Sequence, residues 1–124
     1  MAMTLAEASI IAAGTVIAAG GTEATPFAAG VGNTVGPFAD YAASFAYRLT
    51  NSGGALGAPA TIVFYVSAGG RLYEVDRVSI DTNSGSNISG TIPCPPGFPY
   101  ATAKVFGNTT NAVTAEVYLE RQVP

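Results

Sequence analysis

Histidine and tryptophan are absent from this sequence, lysine occurs once, at Lys104, and cysteine once, at Cys94. Without histidine there is no Ser-His-Asp triad, no Cys-His dyad and none of the commoner zinc ligand sets. Without tryptophan the chain lacks the largest aromatic platform for a sugar ring. A single cysteine excludes an intrachain disulfide framework. Cys94 lies in Ile92-Pro93-Cys94-Pro95-Pro96-Gly97, with no basic residue close by in sequence. A reactive thiol needs an electropositive neighbourhood, so Cys94 reads as a small apolar residue. The five basic residues are scattered, and with no basic run direct nucleic-acid binding is not expected.

Charge of either sign is scarce. Asp, Glu, Lys and Arg make up 10% of the 124 residues, against about 25% in ordinary soluble domains. Apolar residues account for 48%, enough for one domain of this length to bury a core without staples. A soluble monomer normally coats itself with Lys and Glu. The deficit points to a surface covered by partners or by copies of the same chain, since exposed apolar area usually marks interaction. The other reading is a soluble sandwich coated with Ser, Thr, Asn and Gly. The apolar stretch 8–20 is expected to be neither a signal peptide nor a membrane span. No basic residue precedes Arg48, and glycine interrupts a run already too short for a bilayer.

No window holds apolar residues at helical spacing, and Gly and Pro recur too often for a long helix. Residues 2–8 are compatible with one helical turn. Strand signals dominate. Residues 9–18 are β-branched and apolar, and 22–40 read as a long connection holding one short strand. Tyr41 to Thr50 alternate, with Tyr41, Ala43, Phe45, Tyr47 and Leu49 on one face. Thr61 to Val66 are apolar on both faces, as in a central strand or one that meets another subunit. Ala68-Gly69-Gly70 marks a tight hairpin leading into 71–81, where the pattern demands a bulge near Asp76. Ile88 to Pro93 form a short strand, placed at an edge by Pro93. Tyr100 to Gly107 and Ala112 to Arg121 read as a final hairpin, with Val113, Ala115, Val117 and Leu119 facing the core. The whole predicts an all-β fold, a β-sandwich or jelly roll of about eight short antiparallel strands. Residues 1–20 form an N-terminal segment and 21–124 the sandwich domain.

Few groups offer chemistry. Glu74 and Asp76 share a strand face, and paired carboxylates can hydrolyse glycosides. A solvated face balanced by Arg71 and Arg77 explains them more simply. Asp81-Thr82-Asn83-Ser84-Gly85 opens like a calcium loop, but the twelfth position is Ile92 where a bidentate Glu is needed, so a polar turn is expected. The paired glycines precede no helix and make no phosphate cradle. Asn87-Ile88-Ser89 and Asn108-Thr109-Thr110 match the short glycosylation pattern. The expectation is a protein that is not an enzyme, with no cofactor and no metal.

The stretch from Ala39 to Gly54 (ADYAASFAYRLTNSGG), followed by Ala58 to Val66 (APATIVFYV) and Tyr73 to Arg77 (YEVDR), resembles small virion proteins of tailed bacteriophages. The likeness lies in general character, with few lysines, much Ala, Gly, Thr and Asn, and short strands over roughly 30–120. Such families include capsid decoration, or cement, proteins, often trimeric, which sit where capsomers meet and stabilise the shell. The resemblance implies a location on the capsid surface of a virion. It implies two partners, the major capsid protein and further copies of this chain as a homotrimer or other homo-oligomer. Neither nucleic acid nor a membrane is expected to bind directly. The segment 1–20 is either an arm that adds a strand to a neighbour or the first strand of its own sandwich. Candidate interface residues are Ile10, Ile11, Val16 and Ile17 on that segment, with Val63, Tyr65, Tyr73 and Tyr118 on later strands. The alternative is a carbohydrate-binding or adhesion module of a tail fibre or secreted protein, in which Tyr65, Tyr73, Tyr100 and Tyr118 stack on sugars.

Overall fold

The computed structural model describes residues 4–17, 43–51, 54, 56, 59–83, 85–106 and 111–123. They form seven strands: β1 (Thr4–Ile17), β2 (Ala43–Thr50), β3 (Thr61–Ala68), β4 (Arg71–Ser79), β5 (Asn87–Cys94), β6 (Tyr100–Phe106) and β7 (Val113–Val123). One sheet has the order β1-β7-β2-β5 and the other β4-β3-β6. Every pairing is antiparallel. The winding is nested: β1 pairs with β7, β2 with β5, and β3 with β4. This is jelly-roll winding, and it bears out the all-β sandwich expected from the alternation. The short strand expected within 22–40 lies outside the described residues.

The inward faces follow the sequence pattern closely. Phe45 and Leu49 of β2 are fully buried, with Ala43 and Tyr47 packed beside them. Val113, Ala115, Val117 and Leu119 of β7 line the same core. From the opposite sheet, Ile62, Phe64 and Val66 of β3 meet them, joined by Ala101, Ala103 and Val105 of β6. Phe64 sits between the layers, its ring 5.0 Å from that of Phe45 and 5.5 Å from that of Tyr47. Tilted contacts of this kind add to plain area burial.

β1 departs from the helical turn expected over 2–8. Its described part, from Thr4, is extended and paired in register with β7, Thr4 opposite Val123 and Ala8 opposite Leu119. A lone helical turn fixes many dihedrals for few hydrogen bonds, whereas here each residue joins an existing ladder. The register slips between Ser9 and Ile11 and again between Ile11 and Thr15. The first slip inserts Ile10, so Ile10 and Ile11 both reach the core, at 0% and 1% exposure. The second occupies Ala12-Ala13-Gly14, where Gly14 has φ +80° and the Thr15 hydroxyl donates to the Ala12 carbonyl at 2.6 Å.

β3 is the centre of its sheet and residues on both of its faces are buried, which accounts for its two apolar faces. The hairpin to β4 turns on Gly69 and Gly70, at φ +60° and +77°, as a two-residue turn of the mirror-image type requires. The bulge expected near Asp76 is there: Asp76 pairs with Phe64 but Glu74 pairs with Tyr65, leaving Val75 extra. Among the described residues β5 is an edge strand, as Pro93 led one to expect. The final hairpin expected of 100–107 and 112–121 does not form. β6 pairs with β3 in one sheet, while β7 lies between β1 and β2 in the other. Both flanks of β7 are taken by strands whose apolar residues match its own, so the chain crosses between the layers. Buried Asn51 ties the loop after β2 to the loop before β5. Its backbone N–H donates to the Ser86 carbonyl at 2.8 Å, and its amide donates to the carbonyls of Gly54 and Asn83 at 2.9 and 3.0 Å.

Candidate functional site

The eight candidate interface residues divide sharply by burial. Ile10, Ile11 and Ile17 lie in the chain's own core. Val63 and Tyr65 point to the other face of β3, yet they too are buried, in a small cluster with Leu72. These five are therefore covered by their own chain: the bulged β1 places its isoleucines in the core, and Val63 and Tyr65 are buried on the far face of β3. Val16, Tyr73 and Tyr118 remain accessible. Val16 is 63% exposed and Tyr73 50%. Tyr73 packs against Phe98, with ring centroids 6.4 Å apart. Val16 and Tyr118 share the outer face of the four-stranded sheet, opposite Thr114 and Ser9 respectively. Tyr73 belongs to the other sheet, so the three do not converge.

The outer face of the four-stranded sheet holds a groove that no motif announced. Here β2 runs between β7 and β5. Ala46 is opposite Tyr118 on one side and Thr91 on the other, while Arg48 is opposite Glu116 and Ser89. The alanine methyl is too short to fill its place in this row, and a depression of about 240 Å³ opens between its neighbours. Tyr118 stands along one side and Ser89 and Gly90 lie along β5. Arg48 and Glu116 face each other across the next row, Nε to Oε1 at 3.7 Å. That distance is ionic but too long for a hydrogen bond.

On the inner side of β5 the Tyr47 ring covers Gly90. A Cβ at position 90 would lie 2.9 Å from the Tyr47 hydroxyl and 3.2 Å from the ring carbon that carries it. Glycine at this strand position is thus favoured by the close approach of an aromatic side chain, which a Cβ would displace.

The other candidates for chemistry have structural partners. Glu74 accepts two hydrogen bonds from the Arg77 guanidinium, at 2.9 and 2.5 Å. The hydrogen-bonded guanidinium holds the Glu74 carboxyl below its ordinary range, which suits an ion pair and not a general acid. Asp76 accepts from the Arg77 backbone N–H at 2.8 Å. Around 81–86, the carbonyl of Asn83 accepts from the Ser86 hydroxyl and the Asn51 amide, and that of Thr82 from the Leu56 N–H. Cys94 is buried in the core, and desolvation pushes its thiol up to about 11. Among the described residues no three His, Cys, Asp or Glu side chains gather as a metal site would need.

No protein-family model matches the chain, and no curated protein matches it. Solved structures do. The VP2 protein of infectious bursal disease virus, in its subviral particle, superposes on 98% of this chain with a TM-score of 0.54 and 10% identity. This chain spans 33% of that protein's length. A subunit of the Bacillus endospore appendages, disulfide-linked pili, matches over 96% of this chain and 86% of its own length, at 20% identity and a TM-score of 0.48. A carbohydrate-binding module of Cellvibrio mixtus lichenase 5A, solved with cellotriose, matches over 93% and 85% at 11% identity and 0.37. At such identities the likeness to VP2 is one of fold: this chain shares its β architecture with part of a viral capsid protein.

Proposed function

We propose that the protein is a structural subunit of a virus particle: a capsid decoration or cement protein that sits on the virion surface, binds the major capsid protein and copies of itself, and catalyses no reaction. The observation that carries this reading is a long edge strand without charge or proline over most of its length, on a charge-poor molecule. Sheet edges invite strand addition, and monomeric proteins blunt them with charge, proline or bulges. β4 carries Arg71, Glu74, Asp76 and Arg77 and a bulge. β5 carries Pro93. β1 pairs on one side only among the described residues and runs for 14 residues; two bulges interrupt it, but it has neither proline nor charge between Ala8 and Ile17. Its exposed segment Ala12-Ala13-Gly14 and the exposed Val16 lie along this edge. Strand addition there joins subunits through backbone hydrogen bonds. Many weak contacts on one lattice then sum by avidity.

The shared fold with a capsid protein and the absence of histidine agree with this role. Light scattering after gel filtration tests self-association, with an expected mass that is a multiple of the 12.5 kDa chain. Co-sedimentation with purified phage capsids that lack a decoration layer tests the partner. A stable monomer that leaves such capsids bare would sink the proposal.

A further inference from the structure

We infer that the groove across β7, β2 and β5 is a binding site for a single neutral saccharide ring. Four features point there. Its volume of about 240 Å³ falls below the roughly 300–1,000 Å³ of pockets for drug-sized ligands, which leaves room for one small ring. Its floor is the Ala46 methyl and one side is the half-buried Tyr118, an apolar surface suited to the C–H face of a pyranose. Its rim carries donors and acceptors in balance. The Arg48 guanidinium donates, the Glu116 carboxylate accepts, and the Ser89 hydroxyl does both. Because Arg48 and Glu116 stand 3.7 Å apart, each keeps hydrogen-bonding capacity that the other does not consume.

The charge balance selects the ligand class. An anion attracted to Arg48 meets Glu116, and a cation attracted to Glu116 meets Arg48. A polyol, whose every hydroxyl both donates and accepts, satisfies the two together without carrying charge. All the groups stand on paired strands of one sheet, so the site is held in place before the ligand arrives. Arg48 is 66% exposed, and so open a site binds one ring weakly. Several copies on one particle would raise the avidity. The groove lies on a sheet face and the assembly edge on β1, so either proposal stands if the other falls.

The test is a two-dimensional NMR titration of the labelled protein with glucose, galactose, mannose and N-acetylglucosamine, each to high millimolar concentration. At least one sugar is expected to shift the amides of Ala46, Arg48, Ser89, Gly90, Glu116 and Tyr118, and to leave β3 and β4 unmoved. Ala46→Leu fills the groove without removing a polar partner, and Tyr118→Ala removes the ring. Each is expected to weaken binding at least about tenfold, a loss of roughly 1.4 kcal/mol. Tyr73→Ala, on the other sheet, is expected to leave it unchanged. The inference is overturned if none of the four sugars shifts those amides, or if the shifts map elsewhere. It is equally overturned if a folded Ala46→Leu protein binds as the parent does. Should a variant fail to fold, the map on the parent protein decides alone.

Discussion

Gly90 and Cys94 are the two positions where a single atom has the clearest consequences. A methyl at position 90 must displace the Tyr47 ring, which is itself wedged against Phe64. Gly90→Ala is expected to cost about 1–3 kcal/mol, the usual penalty for overpacking, read from urea unfolding. Adding Tyr47→Phe removes the nearer of the two clashing atoms and should recover part of the loss. Cys94 is governed by desolvation, which raises its pKa in the folded state from 9.0 to about 11. Between those values the unfolded chain has lost the thiol proton and the native state still holds it, so the native state binds more protons. Stability is therefore expected to fall as pH rises through this window, on the order of 1 kcal/mol per pH unit. Cys94→Ala should flatten that limb of the pH–stability curve relative to the parent.

At the scale of elements, β3 holds the sandwich together. Its residues alternate between the shared core and the small cluster on the far face, and Phe64 touches two aromatic rings of the opposing sheet. Phe64→Ala is expected to destabilise by about 3–5 kcal/mol, more than truncation of any half-buried residue of β4, as measured by denaturant midpoint. The alternation rules located most strands to within a few residues and placed the bulge of β4 correctly. They misjudged β6 and β7 because a short polar loop between two strands looks the same whether the strands pair or separate. They also missed the groove. Arg48, Glu116 and Tyr118 were each legible as outward-facing. That Ala46 lies opposite Tyr118 depends on the register of two strands distant in the chain, which local pattern does not encode.

For the whole molecule, the open flank of β1 and the scarcity of charge bear on association. If copies join through this edge, the native assembly is favoured by mass action and the thermal midpoint rises with protein concentration. Val16→Lys places a charge on the outer face of that edge strand, where the side chain is 63% exposed. It is expected to abolish the concentration dependence and leave the midpoint of dilute protein unchanged, in calorimetry across a dilution series. A midpoint independent of concentration in the parent would argue for a solitary subunit.

The amino-acid order alone determined the class of fold, the inward faces of β2 and β7, the edge position of β5 and the exclusion of histidine-based chemistry. These follow from period-two alternation, from the missing N–H of proline and from composition, all of which are local. Tertiary structure decided the rest. It nested β1 against β7, sent β6 and β7 to different layers, turned Ile10, Ile11 and Ile17 inward, buried Val63 and Tyr65 on the far face of β3, and set an alanine beside a tyrosine to open the groove. Such outcomes depend on which strands become neighbours and in what register. That choice is made by the packing of the whole chain, since no single segment of it contains both partners.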